Sequence, residues 1–297
     1  DSARLGAGEL PAQPRYPWST TYAVWNLQST AGFGIPAKIL QQGYVRQALQ
    51  LLAAQDAYAA KVYGGFAYPS TSPVPSTSSS YAARSVTPAP HATYDPTAAI
   101  NLLKSHGWKI VPHGTSTCVS PGTGSGSCGA GIPRGAGLSL ELQYPSEVPL
   151  LGQLMNAQQA SWAQAGVSVA LRSAPSMAIR ANAAPCVSSV SCTWQAAFLS
   201  GYHYQPGVYP LAAEWLATGA AFNLGSYSNP ALDAAFAAGT RSGGGLVSST
   251  QMITKASPVL FEPTPAARLT EVVKGLSGVL PENVFGSLTP ERWRRSG

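Results

Sequence analysis

Charge is what this chain has least of. Only 10% of its 297 residues are Asp, Glu, Lys or Arg, against roughly a quarter in an ordinary soluble domain. Three of the 18 basic residues, Arg292, Arg294 and Arg295, crowd into the last six positions, and no Lys/Arg stripe interleaved with aromatics runs through the body. That excludes a nucleic-acid-binding face. Long hydrophobic runs are missing too: no stretch of about 18 apolar residues exists to cross a bilayer as a helix. Residues 1–18 lack a charged-then-apolar leader pattern, so any targeting segment is expected upstream or removed.

Catalytic vocabulary is equally thin. The four histidines, His91, His106, His113 and His203, form no H-E-x-x-H or other ligand pair. No G-x-S-x-G elbow occurs, and the glycine run at 122–126 has no strand-to-helix context and no following Lys-Ser/Thr. The twelve acids are not clustered in sequence as a glycosidase pair would require. Neither an enzyme nor a bound cofactor or metal is expected.

Cysteine is scarce but placed. Cys118 and Cys128, then Cys186 and Cys192, sit as two local pairs in Gly/Ser/Pro-rich loops. Loop closure favours the two short disulfides among three connectivities, each worth about 2–3 kcal/mol, and such bonds indicate an oxidising, extracytoplasmic compartment. The rivals are a thiolate metal site drawing on His113, disfavoured by spacings of ten and six without C-x-x-C, and free thiols.

What is present is apolar material, 45% of the residues, with 30 Gly and 25 Pro to punctuate it. Residues 138–171 carry strand, helix and strand signals without a break. Leu138, Leu140, Leu142 and Tyr144 alternate as on a half-buried strand. Leu150, Leu151, Leu154, Met155 and Trp162 then follow helical spacing, Gly166 stands where a left-handed cap is wanted, and VSVAL begins a second strand. This is a right-handed βαβ unit and the expected centre of an α/β domain.

Around it, residues 1–20 read as an irregular lead-in and 21–27 as a strand. Residues 44–62 read as one amphipathic helix and 67–92 as a Pro/Ser/Thr segment that could wrap over a core. Asp95-Pro96 opens a helix closed by Gly107, followed by a strand at 108–111. Residues 194–199 form a short strand and 211–219 a helix. Asn229-Pro230 caps another helix through Ala238, and 258–261 and 269–273 are further apolar segments.

The order of these motifs resembles the C-terminal half of the family-5 extracellular solute-binding proteins, the receptors of peptide and nickel ABC importers, in a form most like actinobacterial members. The residues that carry the resemblance include YAVWN at 22–26, YVRQALQLLAAQD at 44–56, YDPTAAINLLKSHGW at 94–108, LELQYPS at 140–146, GYHYQP at 201–206 and FNLGSYSNPALDAAF at 222–236. The closing stretch VVKGLSGVLPENVFGSLTPERW carries it to the end of the chain.

The resemblance implies an α/β, type II periplasmic-binding-protein-like lobe with a mixed sheet flanked by helices. It spans 21–265, with a tail at 266–297 that would return to a missing first lobe. It implies hinge closure over a peptide-like or other small polar solute, an ABC permease as partner, a monomer, and an extracellular or periplasmic protein anchored through a lipoprotein N-terminus. An extracellular recognition or scaffold module of the same fold is the alternative. The reading requires a mixed sheet with Tyr202, His203, Tyr204 and Gln205 at an open edge, where they line the cleft or cover an aromatic loop. Trp25, Asn26 and Trp194 are the further ligand-binding candidates, each with packing as its alternative. Arg46 is expected to cap or pair rather than clamp a carboxylate, and Tyr227 and Asn229 to form a turn and cap. The family's Gly-Trp motif is Gly201-Tyr202 here, and no acid follows until Glu214, which favours a neutral, anionic or aromatic-stacking solute over a free peptide amine.

Overall fold

The computed structural model describes residues 12–28, 34–73, 75, 94–183, 193–204, 212–242, 245–271, 275–279 and 290–295. The described residues open with β1 (Ala12–Arg15) and β2 (Ser19–Trp25), so part of the lead-in expected to be irregular is a strand. Its partner explains why local sequence does not show it: β1 pairs antiparallel with residues 268–271, far along the chain. All seven residues of β2 are buried, as a strand covered on both faces requires.

Helices α1 (Ile35–Gln41), α2 (Gly43–Leu51) and α3 (Gln55–Lys61) follow, and the single helix expected at 44–62 is broken at Leu52 to Ala54. Long-range hydrogen bonds favour the break. Gln50 accepts the Phe261 N–H at 2.8 Å and donates to the Phe261 carbonyl at 3.1 Å, and Gln55 donates to that same carbonyl at 3.1 Å. Two side-chain amides thereby cover a sheet edge that would otherwise be open to pairing. Arg46, on α2, is a cap: its guanidinium donates to the carbonyls of Leu40, Ala256 and Ser257, at the C-terminal ends of two helices. Burial lowers its pKa to about 10.

After β3 (Ala67–Tyr68), Asp95 caps α4 (Pro96–Ser105) by accepting the Ala98 N–H at 2.8 Å. Gly107 ends it with a φ of 76°, where a Cβ would stand 2.5 Å from Ser120. Short strands β4 (Trp108–Lys109) and β5 (Thr117–Cys118) frame the glycine-rich loop. The Cys118–Cys128 disulfide closes that loop with both cysteines fully buried; Cys186 and Cys192 lie outside the described residues.

The expected βαβ unit is present as β6 (Ser139–Pro145), α5 (Pro149–Ala163) and β7 (Ser168–Ala174), with β6 and β7 parallel along their whole lengths. β7 runs three residues past the apolar pattern because its partner strand continues. Leu150 points outward, 41% exposed, while Leu151, Leu154, Met155 and Trp162 face in.

The remaining elements are α6 (Ser176–Asn182), β8 (Ala196–Phe198), β9 (Tyr202–His203), α7 (Ala213–Leu216), α8 (Pro230–Ser242), α9 (Gly245–Ala256), β10 (Val259–Glu262), β11 (Thr264–Pro265), β12 (Arg268–Glu271), β13 (Leu276–Ser277), a 3-10 turn at Pro290–Arg292 and β14 (Arg294–Arg295). Helix α9 has no counterpart in the sequence reading; its β-branched Thr250, Ile253 and Thr254 weaken local helix preference. The helix expected at 211–219 shrinks to one turn, and α8 extends four residues past Ala238.

The main sheet is mixed, in the order β10-β2-β8-β6-β7, with β9 paired to the start of β2. Helices cover both faces. On one, Ala23 and Trp25 join side chains of α1 to α5; on the other, Tyr22 and Val24 join side chains of α6 to α9. No helix among the described residues is long and apolar enough to cross a membrane.

Candidate functional site

Alternation along β2 sends Tyr22 to the second face, and a break in register brings Tyr202 to meet it. In β8, Phe198 opposes Ala23; in β9, Tyr202 opposes Thr20 and His203 opposes Ser19. Between the two pairings one extra residue has entered the 196–203 side, which is a β-bulge. A one-residue slip exchanges the two faces of a strand, so Tyr202 lands on the same face as Ala197 and Leu199 rather than the opposite one. Ser200 at φ 70° and Gly201 at φ 94° make the bulge. A Cβ on Gly201 would lie 2.0 Å from the Thr20 carbonyl oxygen, so only glycine allows this approach.

The result is an aromatic shelf. Tyr22 stacks on Trp215 at 4.4 Å and 11°, and Tyr202 lies over Trp215 at 6.1 Å and 25°. Tyr204 meets Tyr202 edge-on at 5.1 Å. Tyr204 is buried and locked: it donates to the Pro73 carbonyl at 2.9 Å and accepts from Trp215 Nε1 at 3.2 Å. Burial raises its pKa and, further along the shelf, those of Tyr22 and Tyr202; the Glu214 charge adds to the rise at Tyr202. All three remain neutral hydroxyls.

Phe222 completes the shelf at its solvent edge, 60% exposed and edge-on to Tyr202 at 5.9 Å. An exposed phenyl ring on a loop needs an anchor, and buried Asn223 supplies it. Its amide donates to the Ala217 and Tyr227 carbonyls at 2.9 and 2.7 Å, and its oxygen accepts the Tyr227 N–H at 3.0 Å. The same loop docks on the end of β2 through Leu27 N–H to the Gly225 carbonyl at 2.8 Å. Asn229 accepts the N–H groups of Ala231 and Leu232 as the cap of α8.

Glu214 lies among these rings, one residue before Trp215. One of its carboxylate oxygens is buried with no hydrogen-bond partner among the described residues. The linear sequence does not reveal it as part of the shelf, because the turn of α7 and the stacking of Trp215 on Tyr22 bring it there.

The expected site residues therefore separate. Tyr202 and Tyr204 share the shelf, and His203 is exposed beside them; Gln205 lies outside the described residues. β9 has β2 on one side and no described strand on the other. Trp25 is fully buried on the opposite face of the sheet, packed near Trp162 at 6.1 Å. Asn26 and Trp194 lie at the far end of β2, roughly 20 Å from Thr20 at the usual strand rise. There Asn26 is buried and donates to the Trp194 carbonyl at 3.0 Å, and Trp194 is buried in the second cluster. All three are buried.

An open recess of about 240 Å³ lies at that same far end, lined by Pro36, Ser139, Glu141, Ser168 and Gln195 among others. Its one carboxylate, Glu141, is already paired with Arg172 at 3.0 Å, so the recess offers less unmet chemistry than the shelf. No group of metal-ligating side chains occurs among the described residues.

The mixed sheet with helices on both faces is the α/β fold of the type II periplasmic-binding-protein-like proteins. The chain belongs to the bacterial extracellular solute-binding proteins of family 5, whose model matches residues 7–200. Among solved structures it is similar to HbpA2 from Haemophilus parasuis (TM-score 0.71, 16% identity), covering 100% of this chain and 52% of that one. It is also similar to the oligopeptide-binding protein AppA from Bacillus subtilis in complex with a nonapeptide (0.68, 15%, 100% and 54%). A third is NikZ from Campylobacter jejuni in complex with Ni(L-His) (0.64, 15%, 94% and 51%). The chain thus spans about half the length of these proteins. No curated protein matches it.

Proposed function

We propose that this chain is the C-terminal lobe of the substrate-capture component of an ABC importer. It would act outside the cytoplasm, membrane-anchored through a lipoprotein N-terminus, and hold a small peptide-like or other polar solute against a second lobe. The observation that carries this reading is the aromatic shelf on a family-5 fold: Tyr202 and Phe222 present ring surface to solvent, held by locked neighbours rather than by the solute. A solute that binds the closed arrangement of the two lobes more tightly than the open one shifts the population toward closure by that difference in affinity.

The shelf favours a solute with an apolar or aromatic group, since base or side-chain rings stack on such surfaces at little entropic cost. Glu214 adds a preference of its own. Its charge acts on Tyr202 through space, which disfavours an anionic solute on the shelf and favours a cationic group. This departs from the expectation of a site without an acid, and a peptide amine becomes compatible with the shelf.

The test is mass spectrometry of small molecules released from gently purified full-length protein. A stoichiometric solute that disappears in Tyr202→Ala and Phe222→Ala variants supports the reading. A silent preparation, together with a silent thermal-shift screen of peptides, amino acids and amines, overturns it in favour of a recognition or scaffold module.

A further inference from the structure

What the shelf offers a solute is ring surface and little else. Tyr202 lies over Trp215 at 6.1 Å and 25°, and Phe222 stands at 67° to Tyr202 with ring centroids 5.9 Å apart, so Tyr202 and Phe222 form adjoining walls. Phe222 is 60% exposed and Tyr202 half-buried, while Trp215 and Tyr22 are buried behind them. The polar side chains around these walls are already engaged. The Tyr204 hydroxyl donates to the Pro73 carbonyl and accepts from Trp215. Both ends of the Asn223 amide are held by the backbone of Ala217 and Tyr227, and Asn229 Oδ1 is held by the N–H groups of Ala231 and Leu232.

Charge is present nonetheless. Glu214 precedes Trp215 in α7, and its field reaches the hydroxyls of Tyr202 and Tyr204. No Lys, Arg or His among the described residues forms an ion pair with it. Its Oε2 is buried, so that oxygen adds to the potential at the shelf without being within reach of a solute. The opposite sign lies at the buried end. Arg180 on α6 acts on the hydroxyl of Tyr22, and its guanidinium already donates to the Leu199 carbonyl at 3.4 Å. Among the described residues, the solvent end of the shelf is therefore ring-lined, negative in potential and poor in free acceptors.

These features separate two kinds of cation. A primary ammonium carries three N–H donors. On the shelf it would give up water for ring surface, at the cost of leaving donors unsatisfied. An ammonium whose hydrogens are all replaced by alkyl groups has no donor to satisfy. Its charge is spread over methyl groups that fit against ring faces, and both the ring quadrupoles and the field of Glu214 attract it. A neutral group of the same shape gains the packing and neither attraction.

We propose that the cation this shelf recognises is a quaternary ammonium, seated against Tyr202 and Phe222 in the field of Glu214, a preference that rests on the shelf being the site of solute capture. The rings then select for alkylation and Glu214 selects for charge.

The experiment is titration calorimetry of the full-length protein with three small alcohols. They are choline, its uncharged tert-butyl analogue in which carbon replaces nitrogen, and ethanolamine, in which hydrogens replace the methyl groups. Choline is expected to bind at least about tenfold tighter than either of the others. Glu214→Gln should weaken choline by about fivefold or more and leave the tert-butyl analogue within about twofold. Phe222→Leu, which keeps apolar bulk and removes the ring, should weaken choline more than the tert-butyl analogue. Equal affinity for choline and its tert-butyl analogue overturns the preference for charge, and ethanolamine binding as tightly as choline overturns the preference for alkylation. In both cases the shelf still stands as the capture site. Binding of none of the three also overturns the quaternary-ammonium preference, while the solutes released from the purified protein decide capture separately. Should Glu214→Gln fail to fold, the ranking of the three probes on the wild type decides.

Discussion

The two faces of the main sheet are built from the same strands to different ends. On the first, Trp25, Leu140, Leu142, Leu154, Met155 and Trp162 form a sealed core whose polar atoms are mostly spent on bracing, as with Gln50 and Gln55 on Phe261. On the second, the rings of Tyr22, Tyr202, Trp215 and Phe222 run from the interior out to solvent. The difference teaches where a fold spends its rigidity. Aliphatic packing fixes the sheet, and the fixed sheet lets a row of aromatics be held in place with one edge uncovered.

That contrast can be broken face by face. Trp162→Ala on the sealed face is expected to cost about 4 kcal/mol of stability, since a large buried ring leaves a cavity the helix cannot close; denaturant unfolding measures it. If the loss is below about 1 kcal/mol, the first face is not the close-packed support described above. Gly201→Ala attacks the device that turns Tyr202 onto the second face. With a positive φ and a Cβ 2.0 Å from a backbone oxygen, it is expected to cost about 2–3 kcal/mol and to abolish solute binding, because relieving the clash undoes the bulge. A variant that unfolds more easily yet binds normally would separate the bulge from the site.

Replacing Cys118 and Cys128 together by Ser removes a short covalent loop from the first face. About 2–3 kcal/mol should be lost, with the aromatic near-ultraviolet signal of the shelf unchanged; altered shelf signals would show that the faces are coupled. Asn229→Ala removes the cap of α8 behind the shelf and is expected to cost about 1 kcal/mol, read as a lowered thermal midpoint. The smallest stability effect belongs to Phe222→Ala, about 0.5 kcal/mol or less because the ring is largely exposed. Its solute affinity should nevertheless fall about tenfold or more by calorimetry, and an unchanged affinity would move the site off the shelf.

Much of this arrangement is legible in the residues, and the failures follow a pattern. The βαβ unit, the Asp95-Pro96 and Asn229-Pro230 helix starts and the Gly107 and Gly166 stops are local devices, and each lies where its residues suggest. The misses depend on distant partners. β1 exists because of β12, the break between α2 and α3 because of Phe261, and α9 because Ile253 has a core to enter despite modest helix preference. Among the candidate site residues, Tyr202 and Tyr204 are singled out by the resemblance of GYHYQP to the family's motif. Phe222 and Glu214 are not, since nothing in their own neighbourhoods says that they meet Tyr202.

By itself the sequence determined what short-range chemistry can determine: turns, caps, strand alternation, an apolar core and the ordered motifs of a solute-binding family. Tertiary structure alone decided that the Tyr202 ring faces the same side of the sheet as Tyr22. That choice rests on a single inserted residue at Ser200-Gly201, because with a side-chain period of two, one residue of register is the difference between a ring in the core and a ring on the shelf.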